Sequence, residues 1–269
     1  MTVQTPSPEV ILSLASQLAD VAAEQTLKWF RAPALVTQNK WAEGFDPVTE
    51  ADRAAEAAMR ALLKVQRPDD SVIGEEAQNT VGTSGLSWVL DPIDGTRGYV
   101  SGTPTWGTLI ALNDGQQPIF GVIDQPYTAE RFVGGLGMAF LERHGVKTPL
   151  ATRKTRHLSQ ATIFTTFPEV GSPLEAEAFH TVAEQCQLTR YGMDCYAYAL
   201  LAAGQIDLVI EAGLQAYDIQ APMALVQAAG GVVTDWRGGN PMHGGRCLCA
   251  ATPELHAAAL DILREVPLG

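Results

Sequence analysis

The sequence predicts a mixed α/β protein in which two helices precede a run of short strands, after which helices alternate with strands. Apolar residues recur at helical spacing over residues 8–30 and again after Thr49. Between residues 71 and 142 the pattern changes to short apolar runs separated by glycine and proline, as is typical of strands and turns. The second half returns to helical segments that alternate with strands, which indicates an α/β arrangement.

The first helix is predicted from apolar side chains spaced three and four positions apart, namely Val10, Ile11, Leu14, Leu18, Val21 and Ala22. Residues 31–48 show no such period, and we expect a loop or a ribbon there. The second helix begins after Thr49, a residue type that caps helices, and Asp52 follows at the spacing of a capping box.

Five apolar runs predict the strands that follow the second helix. They are SVIG (71–74), SWVL (87–90), GTLIAL (107–112), PIFGVID (118–124) and ERFVGG (130–135). Residues 143–158 are rich in lysine and arginine, and we expect an exposed loop there. The rest is predicted as strands over 161–167, 206–212, 230–236 and 247–252 and as helices over 173–187, 194–203, 217–229 and 253–264. We divide the chain into an N-terminal half, 1–142, and a C-terminal half, 143–269, packed as one compact unit.

The charge balance argues against two classes of partner. The 269 residues include 30 acidic and 18 basic side chains, for a formal charge of −12. Nucleic acids and anionic membranes bind clustered lysine and arginine, so we expect neither as a partner.

No apolar stretch reaches transmembrane length, the first residues lack signal-peptide features, and the four cysteines lack zinc-site spacing. We expect a cytoplasmic protein with reduced cysteines.

Several acidic side chains lie where predicted strands end or helices begin, rather than on exposed helix faces. They are Glu75, Glu76, Asp91, Asp94 and Asp218. Each one alone also fits a turn, a helix cap or an exposed loop. Together, at the ends of neighbouring strands, they would repel one another unless a cation lay between them. Mg²⁺ takes oxygen ligands of this kind together with phosphate and water.

The residues of DPIDGT (91–96) favour a site for a metal and a phosphate. Pro92 has no N–H and a fixed φ, which helps to leave the carbonyl oxygen of Ile93 available as a ligand. Gly95 permits a close approach of the backbone to a ligand. If a helix begins here, the N–H groups of Gly95 and Thr96 point toward an anion.

Four motifs in order resemble the inositol monophosphatase superfamily over nearly the whole chain. WVLDPIDGTRGYVSG (88–102) closely resembles its D-P-I-D-G-T signature, and VIGEE (72–76) its upstream acidic motif. YDIQAPMALVQAAGGVVTD (217–235) is similar to its downstream motif, and DPVTEAD (46–52) to its N-terminal element. A single D-G-T would be weak, whereas four motifs in the right order are a specific signal.

The resemblance implies a layered α-β-α-β-α sandwich of the inositol monophosphatase and fructose-1,6-bisphosphatase type. It also implies a phosphate monoester hydrolase that uses two or three Mg²⁺ ions, with Mn²⁺ as an alternative, and that forms a homodimer. By position, the implied metal ligands are Glu75, Asp91, the carbonyl of Ile93, Asp94 and Asp218. The implied phosphate ligands are the N–H groups of Gly95 and Thr96.

The implied reaction is direct attack of a metal-activated water on phosphorus, with no cysteine or serine nucleophile. Glu75 and Thr96 would orient or deprotonate this water. Asp52 resembles the carboxylate that the family pairs with the threonine hydroxyl. Because Asp52 also has the spacing of a helix-capping residue, both roles stay open for it.

The segment RYGMDCYAYALL (190–201) resembles the branch of the family that hydrolyses L-histidinol phosphate in histidine biosynthesis. That substrate carries an ammonium group and an imidazole, with which Asp194 and Glu211 would pair. Arg97 would draw in the phosphate or contact the substrate.

Alternatives remain open for these residues and for the function. Asp194 also fits a helix N-cap, Glu211 a hydroxyl or backbone partner, and Arg97 an exposed charge. An inositol-1-phosphate phosphatase or a broad sugar- or nucleotide-phosphate phosphatase would use the same scaffold. A non-catalytic metal- or anion-binding module is the alternative from another class.

Overall fold

The computed structural model describes residues 5–33, 37–39 and 47–267, which form two large β-sheets with helices packed on both faces of each. The helices are α1 (Pro8–Trp29), α2 (Glu50–Gln66), α3 (Thr96–Ser101), α4 (Pro173–Ala183), α5 (Asp194–Ala202), α6 (Ala216–Ala228) and α7 (Pro253–Leu263). Among the helices of these described segments, none has the length and apolarity needed to cross a bilayer.

The strands fall into a ribbon, a seven-stranded sheet and a five-stranded sheet. The ribbon pairs β1 (Thr37–Asn39) with β2 (Pro47–Thr49). The larger sheet contains β3 (Ser71–Gly74), β4 (Ser87–Asp94), β5 (Gly107–Asn113), β6 (Pro118–Gln125), β7 (Glu130–Gly135), β8 (Met138–Arg143) and β9 (Val146–Pro149). The smaller sheet contains β10 (Thr162–Thr165), β11 (Leu188–Tyr191), β12 (Leu208–Leu214), β13 (Val232–Thr234) and β14 (Gly245–Ala250).

The larger sheet follows chain order from β3 to β9, with β3 parallel to β4 and every later pair antiparallel. One face is covered by α1 and α2, whose apolar stripes pack on the sheet. Leu18 and Met59 from the helices are fully buried against Trp88 and Phe120 from the strands. Burial of these faces is what holds the two helices in place, since amphipathic helices gain most of their stability from such packing.

The smaller sheet has the order β11-β10-β12-β14-β13, with β10 parallel to both of its neighbours and β14 antiparallel to β12 and β13. Its outer face is covered by α4 and α7, where Phe179 and Leu255 are fully buried against Ile210 and Leu248. The two sheets and the helices on their outer faces together account for four of the five expected layers.

The fifth layer consists of α5 and α6, which lie between the two sheets. Their core joins Val89 and Leu109 of the larger sheet to Val209 of the smaller one through Ala199 and Leu225 of the helices. The predicted α-β-α-β-α sandwich is thereby confirmed. The predicted division into residues 1–142 and 143–269 stays a prediction, although the two sheets do use separate stretches of chain.

Helix α6 approaches β6 and β7 so closely that two strand positions have no room for a side chain. A Cβ added at Gly121 would lie 2.3 Å from the carbonyl oxygen of Ala221, and one added at Gly134 would lie 2.4 Å from the Cα of Leu225. The helix therefore rests on the strands backbone to backbone, and its N-terminal turn is fixed relative to the larger sheet.

The structure differs from the predicted elements at two edge strands. The exposed loop expected over 143–158 is wrong over Val146–Pro149, which pairs with β8 as strand β9. The helix expected over 173–187 ends at Ala183, and the chain then forms β11. Every residue of β9 is exposed and β11 is nearly so, so neither shows the apolar alternation by which strands are recognised.

Candidate active site

Strand β4 presents two of the predicted ligands because its pairing with β5 is irregular. Along a regular strand, side chains three positions apart point to opposite faces of the sheet. Asp91 pairs with Leu109, and Asp94 pairs with Gly107. The two pairs are therefore three residues apart on β4 but two residues apart on β5, as in a β-bulge. Carboxylate oxygens of Asp91, Asp94 and Asp218 consequently lie within 4.8 Å of one another.

Asp218 reaches this cluster from the first turn of α6. Its Oδ2 accepts a hydrogen bond from the backbone N–H of Gln215 at 2.7 Å, which completes a capping box at the start of the helix. The alternative role of Asp218 as a capping residue and its place beside Asp91 and Asp94 are therefore compatible. The close contact of α6 with the larger sheet fixes where this carboxylate lies.

Glu75 follows β3 and lines the same pocket as the three aspartates. Its turn is anchored from α2 by Glu56, a buried residue whose carboxylate accepts the N–H of Glu76 at 2.7 Å and the N–H of Ala77 at 3.1 Å. Arg60 pairs with Glu56 at 2.7 Å. Glu56 was not recognisable from the sequence, because its spacing from Arg60 is that of an ordinary surface ion pair on a helix.

The cluster is strongly electrostatically unfavourable as long as all its carboxyl groups are charged. Burial is the main cause that raises the pKa of Asp91 well above its usual value, and repulsion from Glu75, Asp94 and Asp218 adds to it. Burial also raises the pKa of Asp94 well above its usual value, followed by repulsion from Asp218 and Asp194. Because both pKa values are raised, a nearby positive charge would favour the ionised form of both aspartates.

No lysine or arginine within the described segments forms an ion pair with Asp91 or Asp94. The nearby donors are backbone N–H groups, from Ile93 to Asp91 at 3.0 Å and from Cys195 to Asp94 at 2.6 Å. Clustered carboxylate oxygens are the ligand set that hard divalent cations prefer. The residues present therefore fit a metal centre.

Asp52 is fully buried in the first turn of α2 and has the capping role expected of it. Its Oδ2 accepts the N–H of Thr49 at 2.9 Å and the Thr49 hydroxyl at 2.6 Å, which confirms the capping box. Its Oδ1 has no hydrogen-bond partner among the described residues. Burial raises the pKa of Asp52 to about 6, with a smaller contribution from Glu75. The Thr96 hydroxyl donates to the carbonyl of Ile93 at 3.1 Å, so Thr96 is not bonded to Asp52 here.

The turn after Asp94 places Gly95 and Thr96 at the rim of the cluster. Gly95 has φ +86°, a left-handed conformation that glycine adopts without strain, and α3 begins at the next residue. A Cβ added at Gly95 would lie 2.8 Å from the Cβ and Cγ of Asp194. The absence of a side chain at Gly95 therefore makes room for Asp194 beside the predicted phosphate ligands.

One pocket of about 460 Å³ brings together all the predicted site residues except Asp52. Those residues are Glu75, Asp91, Ile93, Asp94, Gly95, Thr96, Arg97, Asp194, Glu211 and Asp218. The first seven come from β3, β4 and α3, whereas the last three come from α5, β12 and α6. The site is thus assembled from both halves of the sequence.

Asp194 is the first residue of α5, and its backbone is in the left-handed region at φ +46°. Met193 occupies the N-cap position, so the alternative of Asp194 as a helix N-cap is wrong. Burial raises the pKa of Asp194 to about 6, against a hydrogen bond from the Thr105 hydroxyl and the charge of Arg97. A non-glycine residue in this conformation is held by its surroundings, and Asn and Asp tolerate it better than most.

Glu211 is buried in the middle of β12 and accepts hydrogen bonds from three donors. Its Oε1 accepts the N–H of Thr166 at 2.7 Å and the Thr166 hydroxyl at 2.9 Å, and its Oε2 accepts the Thr165 hydroxyl at 3.0 Å. These are the hydroxyl and backbone partners left open for Glu211. Burial raises the pKa of Glu211 to about 7 despite these hydrogen bonds. Its carboxyl group still lines the pocket beside Asp194.

A five-layered α/β fold with a carboxylate cluster in one pocket defines a class of metal-dependent phosphatases, and comparison with known families gives the same result. Residues 7–268 match the inositol monophosphatase family, and the chain belongs to that family. Membership supports a phosphomonoesterase that acts on small phosphorylated substrates, in a family that is generally metal-dependent.

The relatives include both histidinol-phosphatases and inositol monophosphatases. The histidinol-phosphatase of Streptomyces coelicolor is 34% identical over 94% of this chain and 97% of its own length. The chloroplastic bifunctional phosphatase IMPL2 of Arabidopsis thaliana is 39% identical over 84% of this chain, which spans 64% of the plant protein. A solved inositol monophosphatase from Zymomonas mobilis is 37% identical, with a TM-score of 0.83 over 97% of this chain and 100% of its own. Similar identities to both kinds of enzyme leave the substrate open.

Proposed function

We propose that the protein is a Mg²⁺-dependent phosphatase that hydrolyses L-histidinol phosphate to L-histidinol and phosphate, a step of histidine biosynthesis. The observation that carries this proposal is a single pocket lined both by the carboxylate cluster and by Asp194 and Glu211. Phosphate hydrolysis requires the cluster alone. The two further carboxyl groups are suited to a substrate that is cationic away from its phosphate.

In this proposal the metal ligands are Glu75, Asp91, the carbonyl of Ile93, Asp94 and Asp218. They would hold two or three Mg²⁺ ions, with Mn²⁺ as the alternative. When bound, Mg²⁺ supplies positive charge that offsets the repulsion between the phosphate dianion and the incoming oxygen, and it makes water more acidic.

The remaining chemistry belongs to the side chains and backbone of the chain. The N–H groups of Gly95 and Thr96 hold the phosphate oxygens at the rim of the cluster. Glu75, assisted by Thr96 and Asp52, orients a water molecule and takes its proton. The water oxygen bonds to phosphorus as the bond from phosphorus to the alcohol oxygen breaks, and that oxygen takes up a proton.

The leaving group lies toward Asp194 and Glu211. The ammonium group and the imidazole of L-histidinol phosphate both donate hydrogen bonds to carboxylates, and such charge-assisted bonds are stronger than neutral ones. A neutral polyol would leave these two carboxyl groups without a cationic partner. Arg97, at the exposed edge of the pocket, adds positive charge that attracts the phosphate.

A second candidate is an inositol-1-phosphate phosphatase or a broad sugar- or nucleotide-phosphate phosphatase. It is favoured by the three hydrogen bonds that Glu211 already accepts from Thr165 and Thr166, which reduce its capacity for a cationic ligand. A non-catalytic metal- or anion-binding module would require that the protein with saturating Mg²⁺ release no phosphate from any ester.

The test is a panel of phosphate esters assayed for phosphate release with Mg²⁺. We expect L-histidinol phosphate to have the highest kcat/KM, above inositol-1-phosphate, sugar phosphates and nucleotides. A higher kcat/KM for inositol-1-phosphate, with no turnover of L-histidinol phosphate, would contradict the proposal. The proposed homodimer is checked by sedimentation velocity, which should give twice the 28.7 kDa mass of one chain.

Replacement of Asp194 by asparagine tests the role of its charge in substrate selection. Asp194→Asn keeps the shape but removes the charge, so kcat/KM for L-histidinol phosphate should fall roughly tenfold or more. The kcat/KM for inositol-1-phosphate should change by less than about threefold. The control is Asp261→Asn, at an exposed aspartate on α7. Equal losses on both substrates would remove Asp194 from the specificity argument.

A further inference from the structure

Phe167 is an aromatic side chain that phosphate chemistry does not require, yet it lines the acidic pocket beside Asp194 and Glu211. The side chain is 43% exposed, although a large apolar ring is normally buried. It follows strand β10 and was not identified as a site residue from the sequence, where TTF reads as the end of a strand. Part of its surface is therefore available to whatever occupies the pocket.

The residues on either side hold Phe167 in place. The preceding residue, Thr166, donates two hydrogen bonds to Glu211, one from its N–H and one from its hydroxyl. The following residue is Pro168, whose ring fixes its φ and whose carbonyl oxygen lies 3.0 Å from Nε2 of His180. A ring between two such anchors is preorganised, in contrast to an aromatic side chain on a mobile surface loop.

Arg97 stacks on the ring from the phosphate side of the pocket. Its guanidinium carbon lies 4.8 Å from the centroid of the Phe167 ring. Because Arg97 directly follows Gly95 and Thr96, this contact links the phosphate ligands to the aromatic ring across the mouth of the pocket. Arginine prefers to pack flat on aromatic faces, which limits the orientations open to Phe167.

We propose that Phe167, supported by Arg97, is a specificity residue that selects phosphate monoesters whose alcohol carries a planar aromatic or heteroaromatic ring. The ring of the leaving group would pack on the exposed part of Phe167 while Asp194 and Glu211 bind its polar groups. This inference rests on the proposed function for the position of the phosphate at Gly95 and Thr96. It does not require the substrate to be L-histidinol phosphate.

The test compares two phosphate esters whose alcohol groups are uncharged and differ in aromaticity, 2-phenylethyl phosphate and 2-cyclohexylethyl phosphate. Because the Mg²⁺-loaded enzyme would hydrolyse both, their binding is compared as KM for phosphate release, for the wild type, Phe167→Leu and Phe167→Tyr. Loss of one aromatic contact should weaken binding of the phenyl ester to Phe167→Leu roughly three- to tenfold. The cyclohexyl ester should change less than about twofold, because leucine remains apolar. Phe167→Tyr should bind both esters like the wild type.

The matched control is Tyr127→Leu. Tyr127 is also an exposed aromatic residue, 46% accessible, with a guanidinium stacked on it, that of Arg31 at 4.6 Å, but it does not line the pocket. This variant should bind both esters normally. Equal weakening of both esters by Phe167→Leu, no weakening of either, or no binding of either ester to the wild type would overturn the inference.

The same variants separate this inference from the proposed function. If the wild type hydrolyses L-histidinol phosphate but Phe167→Leu shows no loss specific to the aromatic ester, the inference fails and the proposed function stands. If the wild type does not hydrolyse L-histidinol phosphate but discriminates between the phenyl and cyclohexyl esters through Phe167, the proposed substrate fails and the selection of aromatic esters by Phe167 stands.

Discussion

A carboxyl group as deeply buried as that of Asp91 is charged at neutral pH only where a positive charge offsets its desolvation. Its N–H partner at Ile93 supplies a partial charge, and no described lysine or arginine supplies a full one. For Asp91, ionisation of the carboxyl group is therefore coupled to the binding of a cation. Cation binding should lower the raised pKa of Asp91 and so favour the release of a proton.

Asp91→Asn should abolish tight metal binding and turnover together. The amide keeps the volume of the side chain but removes the negative charge of one of the three clustered aspartates. We expect Mg²⁺ affinity and kcat to fall by at least about a hundredfold, more than the loss of an outer partner of a metal ligand. Calorimetry with Mg²⁺ and phosphate release measure the two effects. Turnover that survives the loss of metal binding would contradict the assigned metal centre.

Single residues also show where sequence reasoning succeeds. Asp91, Asp94 and Asp218 could be predicted as neighbours, because several carboxylates at the ends of apolar runs would repel one another without a shared cation. Phe167 and Glu56 could not, because their roles depend on which parts of the fold meet them. Phe167 acquires its surroundings from α3 and β12, which are far away in the sequence.

At the scale of elements, the turn from β4 into α3 couples the phosphate rim to the substrate side of the pocket. Gly95 adopts φ +86°, and the side chain of Asp194 lies so close that it leaves no room for a Cβ at Gly95. An alanine at this position would face both a strained backbone and a clash. The two costs are separable, because another glycine of the chain has the strain alone.

The variants Gly95→Ala and Gly137→Ala separate the backbone strain from the clash. Gly137 has φ +80°, but a Cβ there would meet nothing within 4 Å. Each variant should lose roughly 1–2 kcal/mol of stability from the left-handed backbone. Only Gly95→Ala should also lower kcat/KM, by about tenfold or more, because it displaces Asp194. Urea unfolding and phosphate release measure these effects. Equal kcat/KM for the two variants would show that the Asp194 contact has no role in catalysis.

The elements were predictable where burial imposes a period and unpredictable where it does not. The long helices α1 and α2 and the buried strands β4 and β5 follow their apolar patterns closely. Strand β9 is exposed throughout, so its pairing with β8 comes from backbone hydrogen bonds that leave no mark on residue type. The bulge in β4 was equally hidden, although Pro92 interrupts the ladder within it.

At the scale of the whole molecule, the site opposes folding. Burial raises the pKa of Glu211 to about 7 and that of Asp194 to about 6. A carboxyl group with a folded-state pKa above its unfolded value favours folding most at pH values below both, and this contribution is lost as pH rises through the folded-state value. Without metal, the protein should therefore lose stability between about pH 4 and pH 7.

Glu211→Gln should remove part of that loss. In the presence of a chelator, the free energy of unfolding of the variant, taken relative to that of the wild type, should rise by roughly 1–3 kcal/mol from pH 5 to pH 8. Urea unfolding at the two pH values measures the change. Glu184→Gln, at an exposed carboxylate on the other side of the smaller sheet, is the control and should follow the wild type. A wild type and Glu211→Gln with the same pH dependence would contradict this origin of the instability.

The contact of α6 with the glycines of β6 and β7 limits how such a chain can evolve. Positions 121 and 134 exclude even a methyl group, since backbone atoms of α6 already occupy that space. Any larger residue would lift the helix and carry Asp218 away from its neighbours. Two positions that do not line the pocket therefore constrain the catalytic cluster as strictly as the ligands themselves.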